Sequence, residues 1–252
     1  MVYFVGAGPG AADLITVRGL RYLQQADVII YAGSLVSREH LEEAKEGCVI
    51  YNSAYMTLDE VVDVMEEAEK KGLVTVRLHT GDPSIYGAIR EQMDILRERK
   101  IPFSVCPGVS SMFGAAAALQ VEYTLPEVSQ SVIISRAAGR TPVPERESIR
   151  ALASHQATMV LFLSSGLAQS VKEELLAGGY AKDTPVAVVY KATWPDEKKL
   201  YTTIEELPQR MEQEEIHKTA LIIVGNVLGE EYARSKLYDR SFTTEYRKGI
   251  QE

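Results

Sequence analysis

The apolar run Val2-Tyr3-Phe4-Val5 passes directly into Gly6-Ala7-Gly8-Pro9-Gly10, and no other junction constrains the fold as strongly. A β-rich run that ends in small, conformationally permissive residues is a strand turning sharply toward a helix. The same grammar continues down the chain. Short apolar runs alternate with amphipathic segments, the pattern of a mainly parallel sheet with helices on its faces. Strands are predicted at 2–5, 28–31, 48–51, 74–78 and 103–105, with helices over about 16–25, 37–44, 58–71, 85–99 and 111–119. In the third helix Leu58, Val61, Val62, Met65 and Ala68 share one face, Glu66, Glu67, Glu69, Lys70 and Lys71 take the other, and Gly72 stops it.

The alternation pauses after Leu119, where a short polar stretch containing Pro126 discourages both helix and central strand. The predicted organisation is therefore an α/β domain over 1–120, a linker over 121–130 and a second α/β domain over 131–252. Strands follow at 132–135, 159–163, 186–190, 200–203 and 221–224, with helices near 145–153, 169–177 and 204–212. Their closer spacing predicts a mixed second sheet with more antiparallel pairing. Residues 230–252 form a charged, tyrosine-containing tail.

Composition narrows the function. A net charge of −8, from 35 acidic and 27 basic residues, argues against broad capture of nucleic acid or anionic membrane, though local arginines can still hold an anionic small molecule. No apolar run approaches the length of a spanning helix, and the N-terminus enters a strand without a signal-like segment, so the expected location is the cytoplasm. Cys48 and Cys106 show no metal spacing and read as reduced structural thiols; His40, His79, His155 and His217 show none either, so no metal site is predicted.

Three glycine-bearing turns carry the chemistry. The first, through Ala11, satisfies G-x-G-x-x-A and raises a dinucleotide fingerprint, but Pro9 removes a backbone donor and the second strand ends in Tyr31-Ala32-Gly33-Ser34 without a ribose-binding carboxylate. The second is His79-Thr80-Gly81-Asp82-Pro83, where Asp82 either contacts a ligand or caps the next helix. The third is Cys106-Pro107-Gly108-Val109-Ser110-Ser111, whose serines also suit an N-cap. Three permissive turns at the carboxyl edge of one sheet mark the place where open α/β sheets bind ligands.

These turns, with Asp13-Leu14-Ile15-Thr16 after the first, resemble the tetrapyrrole (corrin/porphyrin) methylases along essentially the whole chain. Two further blocks, residues 30–36 and 135–145, resemble the precorrin-4 C11-methylating branch of that family, whose members act in cobalamin biosynthesis. The resemblance implies two α/β domains, usually in a homodimer, with S-adenosylmethionine in the interdomain cleft and S-adenosylhomocysteine as product. It implies cofactor contacts from Thr80, Gly81, Asp82, Ile85, Ser110 and Ser111, and from Leu163, Ala192, Thr219, Ala220 and Leu221. It also turns the first loop, Gly8, Pro9 and Gly10, toward the tetrapyrrole.

The implied chemistry is an in-line displacement at an activated methyl group, which asks for positioning and exclusion of water more than for a nucleophile–base pair. A substrate rich in acetate and propionate groups would be held by guanidinium forks, for which Arg18, Arg136 and Arg140 are the predicted residues. His79 is the one histidine beside a predicted site. The competing expectations are methylation at another ring position, an RNA or modified-histidine methylase on the same fold, a nicotinamide oxidoreductase and a noncatalytic interaction module.

Overall fold

A computed structural model describes residues 1–250; the last two residues of the tail predicted over 230–252 lie outside the described residues. The chain divides into two compact units, Met1–Ala118 with Lys191–Lys198, and Leu119–Tyr190 with Lys199–Glu252.

The first unit alternates β1 (Val2–Gly6), α1 (Val17–Gln25), β2 (Val28–Tyr31), α2 (Glu39–Glu42), β3 (Val49–Asn52), α3 (Leu58–Lys70), β4 (Thr75–His79), α4 (Ile89–Glu98), β5 (Phe103–Cys106) and α5 (Ser111–Leu119). Its five strands are all parallel, in the order β3-β2-β4-β1-β5. Alternation along the strands feeds two cores. Val2 and Phe4 pack with Val61, Val62, Met65 and Leu96 from α3 and α4, while Val5 and Leu78 pack with Leu23 of α1. The α3 helix starts in a capping box, Thr57 accepting from the Glu60 N–H and Glu60 accepting from the Thr57 N–H.

The second unit contains β6 (Val132–Arg136), α6 (Ile149–Ala153), β7 (Thr158–Phe162), α7 (Ala168–Ala177), β8 (Pro185–Tyr190), β9 (Lys198–Thr203), α8 (Leu207–Gln213) and β10 (Ala220–Val224), with sheet order β6-β7-β10-β8-β9. The sheet is mixed: β6 and β7 are parallel, while β10 runs antiparallel to both β7 and β8. Met159, Leu161, Val186, Val188, Ile222 and Val224 build its core together with residues of α6, α7 and α8. The polar stretch around 121–130 is packed, not loose. Ser129 Oγ accepts the Thr158 N–H (2.9 Å) and the Tyr123 carbonyl accepts the Thr158 hydroxyl (2.8 Å).

Three predicted helices are shorter than their periodicity suggested. The one expected over 85–99 begins at Ile89, because Tyr86 and Ala88 adopt left-handed backbone at φ 56° and 49°. The one expected over 37–44 shrinks to α2, and that over 145–153 becomes a 3₁₀ turn followed by α6, which Ser148 caps by accepting the Ala151 N–H. Among the described residues, no helix is long and apolar enough to cross a membrane.

Candidate functional site

The strand order explains why three distant turns meet. β4, β1 and β5 are neighbours, so the turns that leave their carboxyl ends lie side by side. Gly8 and Gly81 pair as an antiparallel bridge, with Gly81 N–H donating to the Gly8 carbonyl (2.7 Å) and Gly8 N–H to that of Gly81 (3.3 Å). Side chains have no room here. A Cβ on Gly6 would lie 2.5 Å from the Gly81 oxygen, and one on Gly108 would lie 2.2 Å from the same atom. Gly81 is also left-handed (φ 59°) and abuts the Ser111 N–H at the start of α5. Ser110, buried, stands at that helix's N-cap, its carbonyl accepting the Gly114 N–H. The result is a floor of bare backbone beside a helix N-terminus, with Thr80 and Ile85 half-buried around it.

Asp82 fastens this floor. It does not cap α4, which starts seven residues later. One carboxylate oxygen accepts the Gly108 N–H (2.8 Å), tying the second turn to the third, and the other accepts the N–H (2.8 Å) and hydroxyl of Ser84. Burial pushes the Asp82 pKa up, but the Ser84 hydroxyl, the Gly108 N–H and the Ser84 N–H outweigh it and hold the carboxyl below the usual range of 3.8. A depressed folded-state pKa stabilises the protein above the unfolded value and loses that contribution as pH falls through the folded one. Asp82→Ala should therefore lower stability by about 1–3 kcal/mol at neutral pH, through the unmade hydrogen bonds. Urea unfolding of both proteins from pH 7 to pH 3 checks this: the gap should hold down to about pH 4 and narrow below it.

The first loop is covered. Gly8, Pro9 and Gly10 are buried, and the segment after β8 lies on them. Thr193 Oγ1 accepts the Ala11 N–H (3.0 Å), and Trp194 Nε1–H donates to the Pro9 carbonyl (3.2 Å). A Cβ on Gly10 would lie 2.2 Å from Trp194 Cδ1. The loop is poorly suited to cradle a dinucleotide phosphate, since the Gly8 and Ala11 donors are engaged and Pro9 has none. Beside this contact, at the carboxyl ends of β2 and β3, opens a 600 Å³ pocket lined by Tyr31, Arg38, Asn52, Tyr55 and Trp194, with Glu39 and Glu42 also in its wall. Tyr31, Gly33 and Val36 of the 30–36 block lie on it.

In the second unit, the predicted residues gather at one edge of the sheet. Arg136 ends β6, Leu163 follows β7, and Thr219 precedes β10, whose Ala220 pairs with Tyr190 at the end of β8. Leu163 is 67% exposed with φ 51°, and Thr219 has φ 57°, conformations that cost about 1–3 kcal/mol each and persist where surroundings hold them. Ala220 and Leu221 are buried. Ala192, in the first unit, is buried between left-handed Lys191 and Thr193.

The arginines separate by environment. Arg136, predicted to hold a carboxylate, gives three of its five N–H donors to the carbonyls of Ala137 (3.3 Å), Thr141 (3.2 Å) and Pro142 (2.9 Å), because the loop after β6 folds back over it. Arg140, at the tip of that loop, is exposed, as is Arg18 on the first turn of α1. His79 is unsuited to proton abstraction. It is 4% exposed, its Nε2 has no hydrogen-bond partner among the described residues, and burial, reinforced by Arg77, lowers its pKa to about 3.

Sequence reasoning missed Trp194, Thr193 and Arg77. The lone tryptophan was a signal, since one large aromatic in a Thr-Trp-Pro segment between strands has an anchoring character. Arg77 left none, because a cation inside an apolar strand run looks like an outward-facing residue. In the fold it is 7% exposed, with burial lowering its pKa to about 10, and it donates to the Ile30 carbonyl (3.1 Å) and Gln92 Oε1 (3.2 Å). Among the described residues, no group of three or more His, Cys, Asp or Glu side chains is arranged to hold a metal ion.

Comparisons with known proteins bear on this geometry. Residues 1–208 match the family described as tetrapyrrole (corrin/porphyrin) methylases. The chain is 56% identical to a cobalt-precorrin-4 C(11)-methyltransferase of Methanocaldococcus jannaschii, over 98% of this chain and 96% of that one. It is 45% identical to a precorrin-4 C(11)-methyltransferase of Pseudomonas aeruginosa, over 98% and 99% of the two chains. Among solved structures, a cobalt precorrin-4 methyltransferase superposes with a TM-score of 0.89 at 49% identity, covering 91% of this chain and 96% of that one. A uroporphyrin-III C-methyl transferase of Thermus thermophilus, complexed with S-adenosylhomocysteine, gives a TM-score of 0.75 at 26% identity, covering 90% and 93%.

Proposed function

Because this chain belongs to the tetrapyrrole methylase family and is a methyltransferase, we propose that it transfers a methyl group from S-adenosylmethionine to C11 of cobalt-precorrin-4 in cobalamin biosynthesis. What supports the reading most is near-complete coverage by relatives named for that reaction. The relative named for the cobalt-containing ring is the more similar of the two described above, which favours the cobalt form and with it the anaerobic route.

The residues present suit such a cofactor. Gly6, Gly81 and Gly108 let the three turns pack backbone against backbone, which brings the proposed contact residues of the second and third turns together. Thr80, Gly81, Asp82, Ile85, Ser110 and Ser111 are the residues proposed to hold the cofactor. When bound, it supplies a methyl group already activated by sulfonium charge, so no metal or covalent enzyme intermediate is required of the protein. The chain's own task is to fix both reactants in one geometry and keep water out. Asp82 serves by locking the second and third turns together, and the aromatic pocket beside the first loop suits a ring system. His79 stays a neutral, buried neighbour.

Arg140 is proposed as a carboxylate handle. Arg140→Ala should raise the KM for the tetrapyrrole about tenfold, the scale of one lost charge-assisted hydrogen bond, and leave the affinity for S-adenosylhomocysteine unchanged. Equal loss of both would indicate a general folding defect. The function itself is tested by incubating the protein with methyl-labelled cofactor and cobalt-precorrin-4 and locating the new carbon by NMR. Label at C11 is expected. Label at another carbon refutes the regiochemistry, and no transfer to any tetrapyrrole refutes the reading.

A further inference from the structure

The 600 Å³ pocket takes all of its lining residues but one from the stretch 31–55; the exception is Trp194, the only tryptophan in the chain. Its place is heavily specified. The Trp194 N–H donates to the Lys191 carbonyl (3.0 Å), its carbonyl accepts the Glu197 N–H (3.0 Å), and its indole N–H is held by Pro9. The ring lies against Gly10, where even a methyl group would collide with it. The Lys191 ammonium stands 5.5 Å from the ring centroid, within cation–π range. The Thr193 N–H donates to the Glu197 carboxylate (2.7 Å), while Lys191 and Thr193 both hold left-handed backbone (φ 46° and 70°). Two strained residues within three positions mark a segment kept in place for a purpose, because relaxed alternatives would be more stable in isolation.

We propose that Trp194 is a substrate-contact residue that sets the seating of the tetrapyrrole, its indole packing on one ring of the macrocycle. This rests on the methylase reading above. Tyr31 and Tyr55 supply the other aromatic surfaces of the pocket; Tyr31 is nearly buried, and Tyr55, 87% exposed, is open to a ligand. Flat, electron-rich rings gain most from such walls. Arg38 is the one cation among the described lining residues, whereas Glu39 and Glu42 share the wall. The pocket therefore suits an edge of the macrocycle bearing a single carboxylate, and disfavours a dense array of them. An indole pinned before binding loses no rotamer freedom on contact, which makes it an effective gauge of ring position.

Two variants test the assignment. Trp194→Leu removes the ring, whereas Trp194→Phe keeps an aromatic ring and loses the bond to Pro9 with part of the packing on Gly10. With cobalt-precorrin-4 and labelled cofactor, Trp194→Leu should raise KM about tenfold or more, the scale of one lost ring stack, with S-adenosylhomocysteine affinity by calorimetry within about twofold. Trp194→Phe should fall between wild type and Trp194→Leu. An unchanged KM in Trp194→Leu overturns the proposal, as does a parallel loss of cofactor affinity in both variants, which would make Trp194 a brace for the first loop alone. Equilibrium dialysis with coproporphyrin, a stable porphyrin bearing one carboxylate on each ring, separates this question from catalysis. If the wild-type protein methylates no tetrapyrrole, the functional reading fails by itself, and porphyrin binding decides: weaker binding by Trp194→Leu supports the contact, and equal or absent binding in both proteins overturns it.

Discussion

Alanine at position 108 is expected to abolish S-adenosylhomocysteine binding and to lower the yield of folded protein. The added Cβ would lie 2.2 Å from the Gly81 carbonyl oxygen and 2.7 Å from Gly6 Cα. Both obstacles are backbone, so no side-chain rotation relieves the overlap, and the turns after β1 and β4 must separate. Overpacking of this kind typically costs about 1–3 kcal/mol, and more where main chain has to shift. Against a total stability of roughly 5–15 kcal/mol the loss is serious but survivable, so cofactor binding should fail before folding does. Gly139→Ala is the control. Its Cβ would meet only Leu167 Cδ1, at an ordinary 3.6 Å. Urea unfolding and calorimetric titration of the three proteins check the outcome; a Gly108→Ala protein that binds like wild type would show that the junction of the three turns is not where the cofactor is held.

The second large effect is at Gly10. A methyl group there would lie 2.2 Å from Trp194 Cδ1 and 2.9 Å from the Ala192 carbonyl oxygen, so Gly10→Ala should destabilise the first unit by about 2–3 kcal/mol. Most of that overlap is with one side chain, unlike the backbone collisions at Gly108. Removing the indole should therefore restore part of what was lost. In a double-mutant cycle with Trp194→Ala, the pair should be less destabilised than the sum of the singles by about 1 kcal/mol or more. Recovery stays incomplete because the Ala192 oxygen remains. Strict additivity of the two changes would mean that Trp194 does not rest on Gly10 in solution.

Much of the fold was legible because the relevant physics is local. Alternating burial in β1, where Phe4 and Val5 enter different cores, follows from strand pleat alone. The α3 helix is readable from its apolar stripe and Gly72, and the fold adds its Thr57–Glu60 box. Where local signals competed, the reading slipped. Periodicity carried α4 back to Ile85, but Tyr86 and Ala88 are held in left-handed backbone that no propensity anticipates. At the site, glycines were informative because crowding at Gly6, Gly81 and Gly108 excludes every other residue. Arginines were not. Arg136 and Arg140 look alike in sequence, yet one guanidinium donates to three carbonyls of its own loop and the other is exposed at the tip.

Adjacent residues thus specify which segments become strands and helices and which turns must be glycine, since sterics and periodicity act over a few positions. The order β3-β2-β4-β1-β5 is another matter: it puts the turns of β1, β4 and β5 side by side, and nothing within any one strand encodes it. The same holds for Trp194, which reaches across 185 positions of sequence to the Pro9 carbonyl. Contacts of that range come from strand pairing and loop closure summed over the whole chain, and so exist only once it has folded.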